Sequence, residues 1–290
     1  MTLSRRRFLT IVAGFAASPA AALSHSWQGR AFGAHVSITL HGRKEMTRPA
    51  LQHAQRLISE VESLFSLYAP TSDLVRLNRA GWIAPEKRFL ALMRSADAAH
   101  RLTGGLFDPS VQPLWRALSE GGDVERAKAL IGWDRVRFDA NRVTLAPGQA
   151  LTFNGIAQGF ATDLVAQALK AHGAERTLVN IGEYRGSGEG WHLGVEDPQF
   201  GRLAALTLSD GAVASSSPAA TPLGAGGHIL HSRAAPRWST VLVEAETATL
   251  ADALSTAMVL APLEQVHQLR WAAGVRRIML VDKAGDLISL

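Results

Sequence analysis

The chain has no cysteine among its 290 residues. That excludes disulfides and thiolate-bound metals, so a metal here must take oxygen ligands or histidine, and oxygen ligands favour magnesium or calcium. Charge of one sign is scarce as well. The formal net charge is +5, and Arg5, Arg6 and Arg7 supply three of those charges, leaving an excess of about two. With no basic helix interleaved with aromatics, nucleic acid is not an expected partner. Several signatures are also missing: G-x-S-x-G, H-E-x-x-H, an EF-hand loop, a P-loop and the dinucleotide G-x-G-x-x-G. Past the first two dozen residues no apolar run reaches the length needed to span a bilayer.

What is there is globular usage, 47% hydrophobic and 19% charged, enough for one large domain or two intimate ones. The N-terminus differs from the rest. "LSRRRFLTIVAGFAASPAAALS" has a basic start, an apolar run from Phe8 to Ala17 and small residues around Ala20 to Ala22. That order reads as an export signal, and the arginine pair fits the twin-arginine type. The expectation is a signal over 1–24, cleaved near Ala22 to Ser24, and a single periplasmic domain over 25–290; an uncleaved anchor is the alternative.

Periodicity then places the elements. "WQGRAFGAHVSITLHG" alternates and reads as one strand; Met46 to Leu64 has helical spacing. A short helix capped by Ser72 or Asp73 follows, then a helix over Pro85 to Thr103 closed by Gly104-Gly105, and small helices after Pro109 and over 124–133. "DRVRFDANRVTLAPG" reads as a hairpin. "LTFNGIAQGF" reads as a strand breaking at Asn154-Gly155 into a helix over Ala157 to His172. Two strands are expected around the Gly-rich turn of "RTLVNIGEYRGSGEGWHLGVEDP", two in "RLAALTLSDGAVASSS", a short one in "GGHILHS" and a clear one in "WSTVLVEAE". Helices over Leu250 to Leu260 and Leu263 to Gly274 precede two closing strands. The class is α+β, with a mixed or antiparallel sheet and flanking helices.

Four stretches bear on chemistry. In "TLADALSTAM", Asp252 and Thr256 are four apart and Ser255 three after Asp252, so a helix sets a carboxylate beside hydroxyls that could grip a hard cation. The plain alternative is a helix start with Thr249 as cap and Asp252 in the first turn. At Asn154-Gly155 a carbonyl could be left open and the following helix start could present amides to an anion, or the glycines could serve close packing alone. His228 and His231, three apart in an expected strand, face opposite ways; either is a candidate base or an ordinary half-buried histidine. Asp108 before Pro109 is turn chemistry.

Taken in order, these segments resemble the ApbE family, the FAD:protein FMN transferases. "AFGAHVSI", "LFSLYAPTSDLVRLN", "GGLFDPSVQPLW", "LTFNGIAQGFATD", "LVNIGEYRGSG", "HIL" and "LADALSTAMVL" resemble successive family blocks from about Phe32 to the C-terminus. The resemblance implies an ApbE-like, T-fold-like architecture and magnesium-dependent transfer of FMN from FAD to a threonine of an acceptor protein, with release of AMP; calcium could replace magnesium. It implies a cation held by the carbonyl of Gly155 with Asp252, Ser255 and Thr256. It implies an FAD site formed by Phe32, Tyr68, Leu106, Phe107, Asp108, Thr152, Gln158, Asn180, Gly182 and His228. His228 becomes the candidate for deprotonating the acceptor threonine or holding the diphosphate, with Asn180 to Gly182 as pocket floor and Ser215 to Ser217 as rim. The sequence departs from the pattern at Phe32, Thr152, Gln158, Glu183 and 231–235. Its Asn-Gly-Ile-Ala-Gln-Gly variant is similar to accessory transferases of nitrous-oxide respiration, whose acceptor would be a membrane-associated flavin-binding domain. An FAD pyrophosphatase and a non-catalytic flavin carrier are the competing expectations.

Overall fold

The computed structural model describes residues 24–188, 190–223 and 227–290. The expected export signal lies outside them, except that Ser24 opens the first strand. In chain order the elements are β1 (Ser24–Ala31), β2 (Ala34–His41), α1 (Lys44–Phe65), α2 (Asp73–Ala80), β3 (Trp82–Ile83), α3 (Lys87–Leu102), α4 (Gln112–Glu120) and α5 (Val124–Ala129). Then come β4 (Arg137–Phe138), β5 (Val143–Thr144), α6 (Ala157–Ala171), β6 (Arg176–Asn180), β7 (Tyr184–Ser187), β8 (Trp191–Asp197), β9 (Gly201–Leu208) and β10 (Gly211–Ser216). The chain closes with β11 (Thr240–Ala245), α7 (Ala248–Met258), α8 (Leu263–Leu269), β12 (Val275–Val281) and β13 (Leu287–Ser289).

The main sheet runs β1-β2-β6-β7-β10-β11-β12-β13, and its described pairs are all antiparallel. Strand alternation decides what each face covers. Val179, Ala214, Val241, Val243, Ile278 and Leu280 face the helical side, while Leu178, Val213, Leu242 and Met279 face the β8–β9 hairpin through Trp191, Leu193, Val195 and Leu206. The helical side carries α1, α3 and α6 on one half and α7 with α8 on the other. Residues from α6 and α7 (Ala157, Ala161, Ala253, Ala257) share a cluster with α1 and α3, so small side chains let these helices approach.

Four expectations change. The first "strand" is a hairpin, turned by Phe32 (φ 51) and Gly33 (φ 74), left-handed positions that suit a tight two-residue connection. Leu151 to Phe153 forms no strand; its backbone is satisfied by Asn78, which donates to Leu151 O at 2.8 Å and accepts from Leu151 N at 2.7 Å, while Thr152 N donates to Pro109 O. "GGHILHS" forms no strand in its described part, and "RTLVNIGEYRGSGEGWHLGVEDP" holds three strands, since β6 and β7 turn at Ile181 to Glu183.

Candidate functional site

The site begins where α6 crosses α7. Asp252 is five residues into α7, and the helix is capped instead by Thr247, whose hydroxyl accepts from Leu250 N at 3.2 Å. The capping alternative for Thr249 and Asp252 therefore falls. Asp163 of α6 anchors the start of α7: its carboxylate accepts from Ala248 N and Thr249 N, both at 2.9 Å, and from the Thr249 hydroxyl, and it pairs with Arg185 of β7. With α7 so held, the Asp252 carboxylate accepts from Gly159 N at 3.0 Å.

The glycines have a structural reason. A Cβ on Gly159 would lie 2.3 Å from Ala248 O and 2.8 Å from Asp252 Cβ, so only glycine admits this crossing. A Cβ on Gly155 would lie 2.8 Å from the Thr256 hydroxyl oxygen, which shows how directly the glycine break meets that side chain. Gly155, Asp252 and Thr256 thus stand together in the lining of a single cleft. Leu106, Phe107, Pro109, Val111, Trp115, Ile229 and Leu230 give it an apolar side; Gln158, Glu183, Ser215, Ser216 and Ser217 continue the polar one.

The carboxyls here are held away from their charged forms. Burial pushes Asp252 up to about 7; the nearby Asp163 adds to this and the Gly159 N–H opposes it. Burial, then the charge of Asp252, hold Glu183 well above the usual carboxylate range against the N–H of Ser215. Burial and then Glu183 push the Tyr184 phenol up to about 12. Such a pair gains from a cation. The donors at hand are a carboxylate, a hydroxyl and a backbone carbonyl, all hard oxygens, which fits magnesium or calcium. Among the described residues no three His, Asp or Glu side chains gather as a metal cluster.

Of the expected residues, Leu106, Phe107, Asp108, Thr152, Gly155, Gln158, His228, Asp252 and Thr256 line the cleft. Five do not. Ser255 turns inward, donating to Asp252 O at 3.0 Å and meeting Ser216 Oγ at 2.8 Å, so it braces the turn from behind. Phe32 packs on the helical core at the β1–β2 turn, its N–H donating to Glu62. Asn180 accepts from Gly182 N, and Gly182 lies behind the Gln158 amide. Tyr68 is exposed and lines a neighbouring cleft that shares Trp115 and Asn154 with the first.

His228 Nδ1 lies 3.2 Å from Pro218 O. A carbonyl only accepts, so Nδ1 is the donor in this contact. His231 is different: its Nδ1 accepts from Arg233 N and Ala234 N, a turn-forming role, and burial lowers its pKa. Asp108 accepts from Ser110 N and Oγ, as turn chemistry requires. Trp115 closes the block "GGLFDPSVQPLW" but carries no charge or nucleophile to single it out, and Glu183 stands out in the sequence only as a departure from the family pattern; a carboxylate beside a turn glycine is the available signal.

The sequence profile of the ApbE family matches residues 32–277. Curated proteins named FAD:protein FMN transferase are similar: that of Vibrio cholerae is 26% identical over 164 residues, 49% of each chain, and that of Haemophilus influenzae 24% over 173 residues, 51% of this chain and 50% of the other. The chain spans about half the length of these curated relatives. The fold matches solved structures over more of the chain. The flavin transferase ApbE of Vibrio cholerae has a TM-score of 0.81 at 21% identity, covering 92% of this chain and 96% of that one. The apo flavinyl transferase ApbE of Pseudomonas stutzeri has a TM-score of 0.79 at 23% identity, covering 92% and 94%.

Proposed function

Because this chain belongs to the ApbE family, and because Gly159 N–H and Asp252 lock the glycine break against the α7 turn inside one cleft, we propose that it moves FMN from FAD to a threonine of an acceptor protein and releases AMP. That contact carries the reading. It sets hard oxygen donors beside the start of α6, where the positive end of the helix dipole favours a diphosphate, and next to an apolar wall that suits a flavin or adenine ring. The relatives' names support the same substrate.

Asp252, Thr256 and the carbonyl of Gly155 would hold a magnesium ion. Bound there, the ion would neutralise diphosphate charge and polarise the anhydride. The remaining work falls to side chains of this chain. His228 Nε2 takes the proton of the acceptor hydroxyl as its oxygen attacks the FMN phosphorus; the anhydride P–O bond breaks and AMP leaves with the electron pair. Gln158 and Ser216 orient the oxygens around that phosphorus, and Leu106, Phe107 and Trp115 exclude water from one side, favouring transfer over hydrolysis.

The twin-arginine signal supports a periplasmic location; among the described residues no helix is long and apolar enough to cross a membrane. The Asn-Gly-Ile-Ala-Gln-Gly block supports a place among the accessory transferases of nitrous-oxide respiration, with a membrane-associated acceptor. Incubation with FAD, magnesium and an acceptor flavin-binding domain tests the reading. Flavin fluorescence on the acceptor band of a denaturing gel, equal in amount to AMP released, is expected. AMP without that band would make the protein a pyrophosphatase, and retained, uncleaved FAD would make it a carrier.

A further inference from the structure

Five acidic side chains are buried among the described residues: Asp163, Glu183, Asp197, Glu244 and Asp252. Three have an evident answer to their charge. Asp163 pairs with Arg185 and caps α7, Glu244 lies 3.3 Å from the Arg277 guanidinium as an ion pair without a hydrogen bond to that oxygen, and Asp197 accepts from the Ser239 and Thr240 hydroxyls and from Gln199 N and Phe200 N. Glu183 and Asp252 have no lysine or arginine partner among the described residues. Their recorded donors are single amides, Ser215 N at 3.2 Å for Glu183 and Gly159 N at 3.0 Å for Asp252. Both face the same cleft. Two enclosed carboxyls with so few donors are unfavourable unless positive charge arrives from outside.

A second observation points the same way. Gln158, 5% exposed, lies on this wall, and its amide nitrogen is buried with no partner. Its nitrogen packs against Gly182, and a buried donor left in that state is unfavourable in the protein alone.

We propose that Glu183 is a second carboxylate ligand of the cation seated by Asp252, Thr256 and the Gly155 carbonyl, an inference that rests on the cation reading above. Glu183 reaches the cleft because the β6–β7 turn brings it across from β10, where Ser215 N holds one carboxylate oxygen and leaves the other for the ion. A hard cation of magnesium's size takes six oxygens. One carboxylate, a hydroxyl and a carbonyl leave half of that shell to water and phosphate; Glu183 raises the protein's share to four oxygens and two negative charges. The consequence is specific: the ion binds before the nucleotide, without its phosphates.

The test is titration of the purified protein with MnCl2 at pH 8 without FAD, following the loss of the free Mn²⁺ electron paramagnetic resonance signal. Wild type should bind one ion. Asp252→Asn should abolish binding, and Glu183→Gln, which keeps an acceptor for Ser215 N, should weaken it at least tenfold. Thermal unfolding of Glu183→Gln without metal should show an intact cooperative transition, with a smaller Mn²⁺-induced rise in Tm than wild type. Wild-type affinity in Glu183→Gln, with Asp252→Asn still inactive in binding, overturns the role of Glu183 and leaves the cation reading standing. Failure of wild type to bind Mn²⁺ overturns the cation reading and this inference with it.

Discussion

Replacing Gly159 with alanine should damage stability and site together. The added carbon would sit 2.3 Å from Ala248 O, 2.6 Å from Ala248 C and 2.8 Å from Asp252 Cβ. Comfortable carbon contacts are about 3.5 Å or more, so the helices must part by roughly 1 Å. The obstacle is backbone, and it cannot swing aside, because Asp163 pins Ala248 and Thr249. Overpacking of this kind costs about 1–3 kcal/mol. Stretching the Gly159–Asp252 hydrogen bond strips a buried carboxyl of its donor, about 1–3 kcal/mol more. Alanine returns about 1 kcal/mol of helix propensity. The net loss is about 1–5 kcal/mol, and at about 2–4 °C per kcal/mol for a chain near this size, Tm should fall by roughly 2–20 °C. Calorimetry gives the Tm, and AMP release from FAD at a temperature where the variant is folded gives the activity, which should drop at least tenfold as Asp252 moves away from Gly155. Gln167→Ala, on the exposed face of the same helix, should change neither. A Gly159→Ala protein with wild-type Tm and wild-type AMP release would refute the crossing.

Asp252→Asn should stop AMP release yet stabilise the metal-free protein at high pH. Burial raises Asp252 to about 7, above its unfolded value of about 4. Between those values the folded form holds a proton that the unfolded chain has lost, so metal-free stability falls as pH rises from about 4 to 7 and then levels off. At about 1.4 kcal/mol per unit, the penalty at pH 8 is of order 4 kcal/mol; urea unfolding with chelator from pH 5 to 8 should show the slope in wild type and a shallower one in the variant. Asp163→Asn leaves Arg185 unpaired beside the α7 start and should cost about 3–5 kcal/mol, measured by the same unfolding. His228→Gln should lower flavin transfer about 10²–10⁴-fold while FAD binding, followed by flavin fluorescence, changes little.

Much of this was legible where side-chain period and local chemistry agree. The Asp252–Thr256 spacing placed two oxygens on one helix face, and the alternation of "WSTVLVEAE" marked a central strand. The misses have physical causes. Phe32 occupies a left-handed turn position where asparagine or glycine is the usual signal, so the β1–β2 hairpin was hidden. "LTF" has a strand's pattern, but a side-chain amide, Asn78, takes the hydrogen bonds a neighbouring strand would. The β6–β7 turn lay inside "NIGEY", one residue from the carboxylate it delivers to the cleft. Gly155 and Gly159 invited two explanations, packing or ligand approach; the structure shows the packing directly, and the packing builds the candidate cation seat. Ser255 shares the helical turn with Asp252 and Thr256, but 0% exposure and its hydroxyl's bond back to Asp252 O turn it away. Spacing cannot tell which way around a helix the solvent lies.

The partners in the Gly159–Asp252 contact stand 93 positions apart, and the chain between them forms β6 to β11. Closing a span of that length costs roughly 4 kcal/mol of chain entropy before any contact repays it. That cost favours an order in which the intervening strands pair first and the crossing closes after them. In that order a nucleotide or ion would meet no early seat from which to guide the polypeptide. Its influence comes afterwards, in how slowly the finished molecule lets go of its shape.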